Sequence, residues 1–362
     1  KRMSEDYSRL EDILQPTMDE LDAIASRGGV SRGVPTGIRD LDELTNGLQA
    51  GQMIVIAARP GVGKALALDT PVATPTGWTT MGEIRVGDRV MGSDGRPTTV
   101  VAATDVMTDR PCYEVHFSDG SVIVADAQHQ WLTDTFDGGR AVRTTEQIAA
   151  SLRTGSQINH VVTNTAPLAL PEVQLPLPPY ALGVWLGHGA LRSSDPEITS
   201  FLEAELSEDV DVAAELGSLG LLGRPHIPPA YLWASARQRR ELLAGLLDSS
   251  ASVGAEGDIR LMAASRRLAQ DVRDLLNGLG HQLPEAQGAG HTLTFAIDDD
   301  VFRVASKQLR HKEARTASGS TRRARSVVDV RSIDSVPVRC IQVDAEDHLF
   351  LAGRGFIPTH NS

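Results

Sequence analysis

The stretch Ala58-Arg59-Pro60-Gly61-Val62-Gly63-Lys64-Ala65 is the place where this chain stops obeying one fold and starts obeying another. It follows Gln52-Met53-Ile54-Val55-Ile56-Ala57-Ala58, a short apolar run suited to a buried parallel strand. A strand feeding a glycine loop is the setting in which backbone N–H groups cradle phosphates. The loop has the Walker A pattern except at its last position, where the hydroxyl expected after the lysine, to ligate magnesium, is Ala65. Residues 65–110 then hold Pro71, Pro75, Gly77, Gly82, Gly87, Gly92 and Gly95 between β-type segments, so the helix that should point its N-terminus at the phosphates does not follow. The sequence closes His360-Asn361-Ser362, and joining Lys64 to Ser362 restores Gly-Val-Gly-Lys-Ser. Removal of 65–361 would create the missing loop.

Bulk properties set the bounds. A length of 362 residues suggests about two domains, and 41% hydrophobic with 23% charged residues is an ordinary globular composition. No apolar run approaches the ~20 residues of a membrane span, and Lys1-Arg2-Met3-Ser4-Glu5-Asp6-Tyr7 lacks the apolar core of a signal peptide, so a cytoplasmic protein is expected. Cys112 and Cys340 are too few for a disulfide framework, and each is either a small buried apolar residue or a reactive thiol. The net charge of -12 argues against general nucleic-acid affinity. Arg303, Lys307, Arg310, Lys312, Arg315, Arg322, Arg323 and Arg325 form a basic run opposed by Glu313, expected as a solvated loop rather than a DNA contact. Upstream, a helix is expected over residues 18–26, after Pro16-Thr17.

Three further stretches share one resemblance. They are Asp69-Thr70-Pro71-Val72 with Gly82-Glu83-Ile84-Arg85-Val86-Gly87-Asp88-Arg89-Val90, then Asp119 through Asp126 to His129, and finally Val343-Asp344, His348-Leu349-Phe350-Leu351-Ala352 and Phe356 to Asn361. Together they resemble the hedgehog/intein family, with 65–165 and 326–361 as the two halves of a mainly β splicing domain. Residues 1–64 resemble the linker and first strand of the α/β RecA-like domain of a DnaB-family replicative helicase. The resemblance implies autocatalytic splicing that excises 65–361 and joins Lys64 to Ser362, with no cofactor and no partner. It also implies a spliced host that binds ATP and magnesium through Gly61, Gly63, Lys64 and Ser362 and acts on DNA as a homo-hexamer.

Most inteins begin with Cys or Ser; here the first residue, Ala65, carries no nucleophile. Trp131, Cys340 and Thr359 resemble the triplet of variant inteins that initiate from an internal cysteine. An ordinary intein trapped by alanine at position 65 is the alternative. On the first reading the Cys340 thiolate attacks the Lys64 carbonyl, since the thiolate and not the thiol is the nucleophile. His129 protonates the departing Ala65 nitrogen, the Ser362 hydroxyl takes the acyl group, and Asn361 cyclises with His360 polarising its carbonyl and His348 moving protons. Asp126 belongs to the His129 motif and joins the site set. With initiation resting on one thiol, oxidation of Cys340 or its pairing with Cys112 would halt excision.

Between 166 and 325 the pattern changes. Pro171 to Pro179 forms an entry linker, and Arg239 to Asp248 and Ser265 to Leu279 read as helices of an inserted α/β domain. Leu182-Gly183-Val184-Trp185-Leu186-Gly187-His188-Gly189 and Leu243-Ala244-Gly245-Leu246-Leu247-Asp248-Ser249-Ser250-Ala251 resemble the paired LAGLIDADG helices of homing endonucleases. In that family each helix ends in a magnesium-binding acid. Asp248 is taken as the retained acid and His188 as the lost one, which leaves a degenerate insert with weak DNA contact; residual nuclease activity is the alternative.

Overall fold

The computed structural model describes residues 64–361 except 137, 208–209, 284–290 and 319–323, and upstream Leu14, Met18, 33–37, 39–45 and 47–48. The chain forms two compact units, Lys1–Ala58 and Arg59–Ser362. In the first, helix α1 (Arg39–Thr45) follows a turn in which the Asp42 carboxylate accepts hydrogen bonds from the Thr36 N–H at 2.8 Å and its hydroxyl at 2.7 Å. Val34 and Leu48 bridge as antiparallel neighbours. Met18 is helical; the rest of the helix expected at 18–26, the strand at 52–58, Gly61, Gly63 and Ser362 lie outside the described residues.

The second unit holds two large cores, one in a β domain and one in the insert. Its strands up to the insert are β1 (Leu66–Ala67), β2 (Pro71–Thr74), β3 (Gly77–Thr80), β4 (Arg89–Met91), β5 (Pro97–Ala103), β6 (Cys112–Phe117), β7 (Val122–Asp126), β8 (Gln130–Thr135), β9 (Arg140–Thr144), β10 (Arg153–Thr154), β11 (Gln157–Ile158) and β12 (His160–Thr163). Alternation makes these strands two-faced: in β5, Thr98 and Val100 point inward while Thr99 and Val101 do not. Helix α2 (Thr145–Ala150) interrupts them behind a capping box in which Thr144 and Gln147 satisfy each other's backbone N–H groups.

After the insert the β structure resumes with β16 (Ala324–Ile333), β17 (Val338–Arg339), β18 (Ile341–Val343), β19 (Leu349–Ala352) and β20 (Ile357–His360). The largest sheet runs β17-β1-β7-β6-β16-β12-β8-β9, so strands from both ends of the chain alternate within it. Two smaller sheets, β20-β19-β2-β3 and β18-β5-β4, do the same. Their shared core contains Leu66, Val115, Phe117, Trp131, Val327, Phe350 and Ile357. Neither half could bury this core alone.

The insert has its own core, running from Leu177 to Phe302. Its elements are α3 (Pro179–His188), α4 (Pro196–Glu205), α5 (Val212–Ser218), α6 (Pro229–Leu232), α7 (Ala236–Ser250), α8 (Arg266–Gly278), α9 (Ala305–Ser318) and a small sheet of β13 (Ala251–Val253), β14 (Ile259–Met262) and β15 (Thr292–Phe295). Pro179 starts α3, where a missing N–H costs nothing, and Gly189 ends it in the left-handed conformation at φ 76°. Helices α3 and α7 cross at their glycines. A Cβ on Gly183 would lie 2.2 Å from the Leu242 carbonyl oxygen, and one on Gly245 would lie 2.1 Å from that of Tyr180. Only glycine permits this approach.

The basic run departs from expectation, because it forms a helix and spends its charge internally. Arg303 pairs with Glu205 and lies over the Tyr180 and Phe201 rings. Lys307 Nζ donates to the carbonyls of Leu247, Asp248 and Ala251, while Arg315 pairs with Asp300. Arg325 is buried against Asp119 and donates to the Gly355 carbonyl at 2.7 Å. Arg310 and Lys312 are exposed, and Arg322 and Arg323 lie outside the described residues. Among the described residues no helix is long and apolar enough to cross a membrane.

Candidate active site

The site begins where β1 leaves Ala65 between β7 and β17. Ala65, Cys112, Val338 and Cys340 form one buried apolar cluster, so the alanine at the expected break and the candidate nucleophile share a pocket. Neither cysteine is in a disulfide. The turn between β17 and β18 fixes Cys340 through the Thr104 hydroxyl, which accepts its N–H at 3.1 Å.

Asp126 closes the other side of Ala65. Its Oδ1 accepts the Ala65 N–H at 3.2 Å, its own N–H donates to the Ala65 carbonyl at 2.9 Å, and its Oδ2 accepts from Arg110 Nε at 2.7 Å. Burial pushes this carboxyl above its ordinary value, against the pull of the Ala65 N–H and the Arg110 guanidinium. Arg110 escaped the sequence reading because a lone arginine before Pro111 carries no motif.

His129 lies on the loop between β7 and β8. Its Nε2 shares a hydrogen bond with the Thr359 hydroxyl, and its ring meets Trp131 edge-on with centroids 4.8 Å apart. Trp131 is locked in turn by its Nε1, which donates to the Thr145 hydroxyl at 3.0 Å. Burial is the main force pulling the His129 pKa down to about 3; hydrogen bonding at the Lys64 backbone opposes it, while the charges of His360 and Lys64 add to it. The ring is therefore neutral at physiological pH. At the junction itself Asp126 holds the Ala65 N–H, while His129 meets the Lys64 backbone on the other side of the same peptide bond.

The C-terminal end comes to the same place. Strand β20 pairs with β19 in the register Leu349↔His360 and Phe350↔Thr359, which puts Thr359 against His129 and leaves Asn361 fully buried. Asn361 donates its N–H to the His348 carbonyl at 2.8 Å and its Nδ2 to the Val343 carbonyl at 3.2 Å. Its own carbonyl accepts from His360 Nδ1 at 2.6 Å and from Lys64 Nζ at 3.4 Å, the latter across 297 residues. His348 sits in a left-handed turn at φ 57° with its ring 5.8 Å from that of His360. Burial, more than the nearby Lys64 and His348, lowers the His360 pKa.

The candidate nuclease positions fare differently. Counted from the crossing glycines, His188 lies five residues beyond Gly183, and the residue five beyond Gly245 is Ser250. Asp248 instead corresponds to Leu186, and Gly187 faces both serines, its added Cβ lying 2.1 Å from the Ser249 hydroxyl and 2.7 Å from that of Ser250. Asp248 is buried, accepts from the Tyr180 hydroxyl at 3.0 Å and from the Arg303 and Val304 N–H groups, and fastens α7 to the start of α9.

The DnaB-like helicase C-terminal domain family matches residues 33–79. The chain is 47% identical over 348 residues to the replicative DNA helicase DnaB of Mycobacterium intracellulare, an overlap covering 85% of this chain and 60% of that protein. It is 65% identical over 151 residues to the DnaB of Mycobacterium leprae, covering 42% of this chain and 24% of the relative. The chain thus spans 60% and 24% of the lengths of these relatives. Among solved structures, the MchDnaB-1 intein overlaps 82% of this chain and all of its own at 27% identity and TM-score 0.32. A DnaB intein from Synechocystis sp. PCC 6803 overlaps 82% of this chain and 98% of its own at 10% identity and TM-score 0.31. Overlaps of that size leave the fold to the strand orders and registers above. The mainly β domain brings both of its ends into one buried site. The chain is related to the DnaB-type replicative helicases and to the inteins that interrupt them.

Proposed function

We propose that residues 65–361 splice themselves out and join Lys64 to Ser362, completing the phosphate-binding loop of a replicative helicase. The observation that carries this reading is the meeting of the two ends: Lys64 Nζ touches the Asn361 carbonyl although 297 residues separate them. Cys340 attacks the Lys64 carbonyl carbon, the Lys64–Ala65 bond breaks, and the nitrogen leaves as an amine. Asp126 supports this step, because the new α-amino group emerges in a fully buried pocket against a carboxylate that already holds it. Ser362 takes the acyl group from the thioester, Asn361 Nδ2 closes on its own carbonyl, and the freed Ser362 amine captures the acyl group as a peptide. Holding the reacting groups together supplies up to ~7–11 kcal/mol of the barrier.

ATP and magnesium belong to the spliced host. In the precursor the loop lysine is turned to Asn361, so the phosphate site is not assembled. The hexameric, DNA-acting host follows from the DnaB relatives and is part of the same proposal. The insert resembles a LAGLIDADG pair without its acids, since His188 and Ser250 occupy the two equivalent positions. Placing the chain in its full-length host and following intact mass tests the reading: conversion to an excised element and a ligated host is expected. An inert precursor rescued only by Ala65→Cys would establish the trapped-intein alternative. Cleavage of insertion-site DNA with magnesium would overturn the reading of the insert.

A further inference from the structure

Excision as proposed uses Lys64 only through its carbonyl, yet the lysine side chain reaches into the site. Its Nζ lies 3.4 Å from the Asn361 carbonyl oxygen, and His360 Nδ1 donates to the same oxygen at 2.6 Å. That oxygen takes up negative charge when Nδ2 adds to the carbonyl carbon. Two donors converging on one such oxygen form an oxyanion hole, and the donor with a fixed charge gives the greater stabilisation in a site closed to water. Asn361 is fully buried, so water does not supply it. We propose that Lys64 is a catalytic residue of the C-terminal cleavage, its ammonium stabilising the tetrahedral oxyanion at Asn361.

This rests on the splicing reading and deepens it: the host segment contributes a working group to the removal of its own interruption. The geometry persists through the reaction. Once the acyl group has moved to the Ser362 hydroxyl, Lys64 is bonded one residue from the Asn361 carbonyl, so its ammonium stays within reach. In the step itself the Nδ2–C bond forms and the bond from that carbon to the Ser362 nitrogen breaks. The proton leaves Nδ2 and arrives on the Ser362 nitrogen by way of the His360 and His348 rings. Lys64 lends charge and transfers no proton.

The test uses the full-length host with its downstream segment and compares Lys64→Met and Lys64→Arg with the unaltered chain by intact mass and gel mobility. Lys64→Met should form the branched ester normally and release it about tenfold to a hundredfold more slowly, whereas Lys64→Arg should keep most of the release rate. The groups facing His360 are Lys64, His348, Asp347, His129 and the Asn361 backbone. Removing the lysine removes one of the charges that depress the histidine, so the acid limb of the release rate should move to higher pH in Lys64→Met. A merely structural lysine would leave that limb in place. Equal release rates, or equal slowing of ester formation and release, overturn the assignment. Absence of any branched ester or excised element from the unaltered host overturns the splicing reading together with it.

Discussion

The junction site and the α3–α7 crossing are both places where two distant segments meet and bury polar groups, but they treat those groups in opposite ways. At the junction, Asn361 Oδ1 is buried with no hydrogen-bond partner, although such an atom is costly to leave so. At the crossing, the Ser249 hydroxyl bonds to the Gly245 carbonyl, that of Ser250 to the Leu246 carbonyl, and the Asp248 carboxylate takes donors from Tyr180, Arg303 and Val304. One site holds polar capacity in reserve for chemistry. The other has absorbed it into packing.

The largest expected effect is at the junction. Cys340→Ala should abolish N-terminal cleavage and ligation, while Cys112→Ala, in the same cluster, should leave both running; splicing retained without Cys340 would break the comparison at its base, as read by intact mass. Next comes the crossing. Gly245→Ala forces a methyl against the Tyr180 carbonyl and should cost about 1–3 kcal/mol or more in denaturant unfolding of the insert, with thioester formation unchanged. An unshifted unfolding midpoint would mean that the helices can part freely.

Acid should separate the two regions further. The folded chain holds His129 neutral down to about pH 3, whereas the unfolded chain takes up that proton near 6.5. The unfolded state therefore binds more protons in that window, and stability falls as pH drops through it, by up to about 1.4 kcal/mol per unit, levelling off below the folded value. His129→Gln should flatten this slope in a series of urea melts from pH 7 to 4; an unchanged slope would remove His129 as its source. The smallest effect is expected between the regions. Trp233 of the insert packs on Phe356 and Trp78, at centroid distances of 6.3 and 5.7 Å, beside the hairpin that carries Thr359 and His360. Trp233→Ala should slow release at Asn361 a few-fold and leave the first step alone, and equal rates would show the regions to be independent.

Much of the junction could be read directly because its chemistry is local in sequence: the interrupted loop, the His129 motif and the terminal His360-Asn361 each occupy a few adjacent residues. The insert helices were equally legible from their small and apolar residues, and they run at 236–250 and 266–278, within a few residues of expectation. The part played by Asp248 turns on register. A carboxylate near the end of a resembling helix looks retained until the glycine crossing sets the register, and only then does Ser250 appear opposite His188. The basic run misled because its partners Glu205, Asp300 and Asp119 come from other parts of the chain. Arg110 and the reach of the Lys64 side chain had no sequence signal, since each works across a fold that pairs the first strand with nearly the last.

The segment leading into the insert does not hang loose. Leu168 N–H donates to the Gly278 carbonyl at 2.9 Å, Ala169 N–H to that of Gly95 at 2.7 Å, and buried Arg239 binds the carbonyls of Ala234, Leu168 and Gly278. Such stitching works as a ratchet. Of these bonds the one from Ala169 to Gly95 ties the insert to the surrounding β domain and the others brace the entry segment against α7 and α8, so cutting out the insert would leave the Gly95 carbonyl without that donor. The insert is thereby held in place as masonry, whatever chemistry its helices carry.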